Sequence, residues 1–343
     1  MAKRTVSFLI AICILMGCLL AGCSGGEPAA DPTEQKQTAP TTQVTEPEIE
    51  PTEDPFMNAY HKQDPASDDT LYILTAAASN SHYFVDELYG VLAAAGIKAK
   101  ACNLMRSSTG INLFYQYWKE EKNEFQLIIH DENGKTVMEG MNLDSALQVY
   151  NWDVFNMQEG TAPHRTMTAL QAADERKLAH TELIAHIRQT MPMTKLYYQE
   201  IWSYDIGFDR FNYKMLDREQ QLKFTQSIRD YTNIVCKDLD LMTIPCGDAW
   251  DIAREKSPLA YNMCARLSVN NGEGDYYHDG DIGGGQLLNA YVWFETLTGE
   301  SCIGNTFRPE YKHNGITYTL DEELIKVLQE SAHEAVEQMR AGA

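Results

Sequence analysis

Along residues 71–339 the apolar spacing switches repeatedly between strand-like and helix-like periods, and that alternation restricts the chain to an α/β architecture. Leu71–Thr75 is a short apolar strand ending in small residues, and Tyr83–Ala95 follows with helical spacing. Ile97–Leu104 reads as a second strand. Phe125–Ile129 and Thr136–Met138 flank Asn133-Gly134, a strong two-residue hairpin signal. Leu143–Val149 is a short helix, Trp152–Met157 a buried strand, and Ala172–Thr190 a helix that stops before Pro192. Lys195–Ile201 and Leu239–Ile244 read as further strands around the helix Arg218–Val235. Gly247–Arg254, Gln286–Thr298 and Leu320–Met339 complete the helical segments. Five strand candidates separated by helices predict a parallel sheet of about five strands, covered on both faces, with the hairpin as an insertion. Ligands of such sheets collect where strands end at their carboxyl side, near the switch in strand order.

The segment before this domain predicts an address rather than a fold. Lys3 and Arg4 precede an apolar run from Phe8 to Leu20, shorter than the roughly 20 residues of a spanning helix. The run ends in Leu20-Ala21-Gly22-Cys23, which resembles a bacterial lipobox whose cysteine is lipidated. An ordinary signal peptide cut near Ala21 is the competing reading. Residues 24–69 are rich in Pro, Thr, Glu, Gln and Ala, a composition that stays extended and solvated. The expected organisation is a signal peptide over 1–22, an acidic tether over 23–69, a globular domain over 70–305 and a C-terminal extension over 306–343. The expected location is the extracellular face of the cell membrane, through a lipid on Cys23.

A formal net charge of −21 argues against nucleic acid as a partner. Of 8 cysteines, Cys13 and Cys18 leave with the signal and Cys23 carries lipid. Cys102, Cys236, Cys246, Cys264 and Cys302 remain, an odd number without a CxxC pair, so neither a disulfide framework nor a zinc site is indicated.

Two loops carry candidate chemistry. Ala76-Ala77-Ala78-Ser79-Asn80-Ser81-His82 follows the first strand, and a serine at such a turn can sit where backbone N–H groups stabilise an oxyanion. The same residues also suit an ordinary helix cap. The second loop, Gly274 to Gly283, places Asp275 three residues before His278, so the carboxylate can orient an imidazole that takes a proton from a serine. A calcium site on Asp275, Asp279 and Asp281 competes, although the spacing lacks the twelfth-position Glu of an EF-hand. Elsewhere, His164 reads as a surface residue, while His180 and His186 read as solvated positions on a helix of mixed polarity. Trp202 and Tyr204 suit either a sugar-stacking role or core packing.

Together these blocks resemble the SGNH, or GDSL-type, hydrolase superfamily, and within it a branch of unknown function common among lipoproteins of gut Firmicutes. That branch ends its first strand in Ile-Gly-Asn-Ser, with Leu-Tyr about nine residues later; Ser79 stands nine residues before Leu88-Tyr89. Asp275, His278, Gly283 and Trp293-Phe294 match its last block in order, and Trp152 to Gly160 matches its middle block. The resemblance implies a flavodoxin-like three-layer sandwich. It also implies Ser79 as nucleophile, His278 as base and Asp275 as its orienter. Gln158 and the Ser108 N–H would be the oxyanion donors, and no metal or organic cofactor is needed. The implied substrate is a small-molecule or polysaccharide ester, such as an O-acetylated carbohydrate, with the membrane met only through the lipid. Two departures stand out: Ala77-Ala78 replaces Gly-Asn, and Ser107-Ser108 replaces the Ser-Gly or Gly-Gly that supplies an oxyanion N–H. One lost oxyanion donor costs about 2.7–4 kcal/mol of barrier. A weakened or inactive SGNH-fold protein that binds carbohydrate is therefore the alternative expectation.

Overall fold

The computed structural model describes residues 69–77, 79–261, 263, 283–313 and 316–342. Its strands are β1 (Leu71–Ala77), β2 (Ala99–Met105), β3 (Phe125–Asp131), β4 (Gly134–Met141), β5 (Val154–Met157), β6 (Lys195–Gln199), β7 (Asp209–Arg210), β8 (Tyr213–Lys214), β9 (Met242–Ile244), β10 (Glu310–His313) and β11 (Ile316–Thr319). The helices are α1 (Ser79–His82), α2 (Phe84–Ala94), α3 (Ile111–Lys119), α4 (Leu143–Val149), α5 (Ala169–Thr190), α6 (Arg218–Leu239), α7 (Cys246–Lys256), α8 (Gly285–Thr298) and α9 (Glu322–Gly342).

Among the described residues, seven strands form one sheet in the order β4-β3-β2-β1-β5-β6-β9. Strands β2, β1, β5, β6 and β9 are mutually parallel, in the flavodoxin-like order 2-1-3-4-5. The hairpin is inserted in the chain between β2 and β5, as expected, and it joins the main sheet. β3 pairs antiparallel with β2 and carries β4 outward, so the hairpin lengthens the sheet by two strands. Its turn closes one residue earlier than the Asn-Gly signal suggests: Asp131 pairs with Gly134, whose φ of 96° only glycine tolerates easily.

Residue parity along β1 divides the core. Ile73 faces one layer, built with α2, α7, α8 and α9; Tyr72, Leu74 and Ala76 face the other, with α3, α4 and α5. Helix α6 lies at the border and contributes Phe224 and Ile228 to the first layer and Tyr231 and Val235 to the second. The long helices start at side-chain caps: Thr168 and Gln171 form a reciprocal capping box for α5, and Asp217 accepts from the Gln220 N–H for α6.

Three histidines depart from expectation. His164 and His180, read as surface or solvated, are buried, because the loop after β5 and one face of α5 fold against α6. The His164 ring packs edge-on to Tyr231 at 5.2 Å, with Nδ1 3.4 Å from the Ser227 hydroxyl. His180 donates from Nδ1 to the Arg176 carbonyl at 3.1 Å, and its Nε2 lies 3.2 Å from the Tyr198 hydroxyl. His186 is partly covered, bonded to Asp144 at 2.5 Å and lying against Trp118. Burial is the main cause that depresses His164 and His180 to about 4, with Arg176 adding repulsion.

A depressed histidine stabilises the fold above its ordinary pKa, and that contribution is lost as pH falls from 6.5 towards 4, because the unfolded chain binds protons the native state refuses. Each histidine should remove about 2 kcal/mol of stability by pH 5. Urea unfolding at pH 7 and pH 5 checks this. The midpoint should drop clearly in the wild type and much less in a His164→Gln/His180→Gln double variant; a wild-type midpoint that does not move contradicts the assignment.

Candidate active site at the carboxyl edge of the sheet

The register of the parallel strands assembles the site. Ala77 at the end of β1 pairs with Met105 at the end of β2, and Ala76 pairs with Met157 at the end of β5. The segments after these strands, around Ser79, Ser107-Ser108 and Gln158, therefore leave the sheet side by side. This is the switch point of the strand order, where doubly wound sheets bind ligands.

Behind the first loop lies a polar row one residue pair deep. Thr75 of β1 is in register with Asn103 of β2 and Asn156 of β5, and all three are buried. The Asn156 amide donates to the Thr75 hydroxyl at 2.9 Å, and the Asn103 amide donates to the Ser81 hydroxyl at 2.8 Å. Ser81 is fully enclosed, so its hydroxyl pins α1 onto β2. Ser79 begins α1, which runs through Tyr83 into α2.

The second loop, residues 106–110, holds the strongest backbone signal. Ser108 has φ 59°, in the left-handed region that glycine occupies freely and other residues enter at about 1–2 kcal/mol. Serine thus adopts the turn that the resemblance assigns to glycine. Thr109 is buried, and its hydroxyl donates to the Ser107 carbonyl at 3.4 Å. The Arg106 guanidinium lies 4.7 Å from the centre of the Tyr117 ring, 3.4 Å from Glu124 and 3.5 Å from the Thr109 hydroxyl.

The third loop begins with Gln158, 2 % exposed, whose Oε1 has no hydrogen-bond partner among the described residues. Its neighbour Glu159 is as deeply set. Glu159 accepts from the Ile111 N–H at 3.3 Å, the Gly160 N–H at 2.7 Å and Arg176 Nε at 2.7 Å. One strand further, β6 ends in the same pair, Gln199-Glu200, both buried. Burial, followed by the charge of Asp248, holds the Glu200 carboxyl well above the usual carboxylate range, while Arg229 opposes the shift. Arg229 itself is committed to Asp248, with Nε 2.7 Å from Oδ1. The middle block contains Glu159 but implies a role only for Gln158, and Glu200 went unread; the repeated Gln-Glu at two strand ends was the available signal.

Trp202 and Tyr204 belong to the core. Trp202 stacks on Trp250 with ring centres 4.6 Å apart, and Tyr204 stacks on Phe208 at 3.7 Å. Trp250 also donates to Asn289 of α8 at 2.8 Å. Asp275 and His278, with Asp279 and Asp281 of the calcium alternative, lie outside the described residues, as does Cys264. The chain returns at Gly283 and enters α8 through Gly284, whose φ of 79° and close approach to Leu328 both require glycine. Cys102, Cys236, Cys246 and Cys302 are buried free thiols. Among the described residues there is no group of three metal-ligating side chains, and no helix is long and apolar enough to cross a membrane.

A family model described as Domain of unknown function (DUF4886) matches residues 72–319. The chain belongs to the DUF4886 family. A crystal structure of a DUF4886 family protein from Bacteroides uniformis is similar at TM-score 0.64 and 23% identity, covering 78% of this chain and 95% of that one. The DUF4886 domain therefore has the fold of that protein. An acetylxylan esterase from Geobacillus stearothermophilus is similar at TM-score 0.40 and 10% identity, covering 67% and 95% of the two chains. A GDSL-like lipase from Bacteroides thetaiotaomicron reaches TM-score 0.37 and 8% identity, covering 71% and 96%. Among curated proteins no relative matches.

The polar row separates two serines that lie two residues apart. Ser81→Ala leaves the buried Asn103 amide without its acceptor and should cost about 1–3 kcal/mol of stability. Circular dichroism melting checks this: Tm should fall by several degrees with the fold retained. An unchanged Tm would mean that the Asn103–Ser81 bond does not anchor α1.

Proposed function

We propose that this protein is a serine esterase of the SGNH type, held outside the cell by a lipid on Cys23, that removes O-acyl groups from a carbohydrate. Ser79 attacks the ester carbonyl while His278, oriented by Asp275, takes its proton. Gln158 and the backbone N–H groups of Ser108 and Ser79 receive the developing oxyanion. His278 then returns the proton to the leaving sugar oxygen, and water releases the acyl group by the same steps in reverse order. The reading needs no metal and no organic cofactor.

The observation that carries this reading is the left-handed backbone of Ser108. A strained turn at the end of a strand, next to the loop that bears Ser79 and beside a buried glutamine, is kept where it serves a site. Its φ also weakens the case from sequence that the missing glycine disables the oxyanion loop. The alternative, a carbohydrate-binding protein without chemistry, is favoured by Ala77-Ala78 in place of Gly-Asn.

A fluorophosphonate probe tests the choice. It should label the wild type at Ser79, and Ser79→Ala or His278→Ala should each abolish hydrolysis of small acetyl esters with the fold intact. An unlabelled, inert wild type that binds an acetylated glycan would sink the esterase and leave the binding protein.

Anchoring has its own readout. Cys23→Ala should move the protein from the membrane fraction to the soluble fraction, because the acidic tether offers no apolar surface to hold it. Retention of that variant at the membrane would count against lipidation.

A further inference from the structure

The two loops assigned to oxyanion binding are joined by a single carboxylate. Glu159 follows Gln158 directly, and its side chain reaches past β1 to the far side of the Ser107-Ser108-Thr109-Gly110 loop, where it accepts the first N–H of α3 from Ile111. Its other oxygen accepts the N–H of Gly160 in its own loop. Arg176 of α5 closes the arrangement from behind, donating to Glu159 at 2.7 Å and to the Ala172 carbonyl, one turn back on its own helix, at 3.2 Å. The side chains of Glu159 and Arg176 are 5% and 12% exposed, so the pair is shielded from water. Gly110 records how tight the fit is: a Cβ there would lie 2.7 Å from Glu159 Oε1.

We propose that Glu159, held by Arg176, is a positioning residue that fixes the Ser108 loop against the Gln158 loop. This rests on the esterase reading. Donors to an oxyanion help only if they are already in place when the charge develops, and a displacement of an ångström is enough to lose much of the effect. Ser108 is exposed and strained, and Gln158 sits on the other side of β1. The carboxylate of Glu159 accepts the Gly160 N–H of its own loop and the Ile111 N–H at the start of α3, directly after the Ser108 loop. Gly110 is required because a side chain at that position would push this carboxylate aside.

The experiment is a double-mutant cycle on the full chain with Gly110→Ala, Glu159→Ala and the pair, with Glu159→Gln alongside. Two readouts are taken: steady-state hydrolysis of an aryl acetate, and hydrogen exchange of the amides at 107–111. Gly110→Ala and Glu159→Ala should each lower kcat by about 10-fold or more with KM within about 2-fold, the pattern of a lost transition-state contact. The pair should be no worse than Glu159→Ala alone, because the added methyl then meets empty space. Exchange at 107–111 should quicken in the same variants. Glu159→Gln keeps one acceptor oxygen, enough for one of the two amides, and loses the charge facing Arg176, so it should fall between wild type and Glu159→Ala.

Additive losses in the cycle, or unchanged kcat and exchange in folded variants, overturn the proposal. If Glu159→Ala fails to fold, Gly110→Ala and Glu159→Gln carry the test, since both leave a polar partner beside Arg176. A wild type inert towards ester and probe removes the esterase reading without touching the clamp. The clamp then stands or falls on exchange alone: faster exchange at 107–111 supports it, and unchanged exchange overturns it.

Discussion

A carboxylate taken out of water costs several kcal/mol unless an opposite charge and fixed donors replace what water supplied. Glu159 has both, a guanidinium from α5 and backbone N–H groups from its own loop and from the start of α3. Removing one partner from such a buried pair costs about 3–5 kcal/mol, so α3, α5 and the loop after β5 are tied to one another. The contact also accounts for α3. Its N-cap is Gly110, which offers no side chain, and the helix carries no acid in its first turn. Its free amides and positive dipole end are met by Glu159, 48 residues further along the chain.

The neighbouring strand repeats the device with a different electrical outcome. Glu200 follows β6 as Glu159 follows β5, and it too presses against a glycine at a helix start, Gly247 in the first turn of α7. What differs is the company. Asp248 faces Glu200 and raises its pKa further, while Arg229 spends its best hydrogen bonds on Asp248. One strand end therefore meets a guanidinium, while beyond the other burial and Asp248 hold the Glu200 carboxyl well above the usual carboxylate range.

The parallel frame was legible because strands and helices were separated by clear changes of apolar period. Leu71–Thr75, Lys195–Ile201 and the helix Leu143–Val149 lie at or within about a residue or two of their observed ends. What the sequence hid depends on distant partners. Helix α3, INLFYQYWK, is aromatic and has no local cap, so nothing nearby announces it; its start is stabilised from Glu159. The hairpin's membership of the main sheet depends on β3 finding the free edge of β2, which local pattern cannot reveal. His164 and His180 read as wet because their neighbours in sequence are polar, whereas α6 covers them in space. In the candidate site, the loops bearing Ser79, Ser108 and Gln158 were readable from their places after strands. Glu159 stood in the matched middle block, but its link to the start of α3 was not readable, because that contact lies 48 residues away.

The start of α8 depends on the end of the chain. Residues 283–285 re-enter the fold between two fixed surfaces. Gly285 lies on the Trp250 ring, itself backed by Trp202, and Gly284 lies against Leu328 of α9, with Leu320 and Leu324 close by. Any Cβ at either glycine would meet ring or leucine atoms at contact-breaking distance, so the return point cannot slide along the helix without unpacking that wall. Helix α9 buries Leu324, Leu328, Ala332, Ala335 and Val336 in the same layer as α8. The closing helix α9 is thus part of what holds the start of α8. Charge sets the side of the sheet formed by β1, β2 and β5, through Glu159 and Arg176. Close apolar packing on glycine sets the other side, where α8 begins.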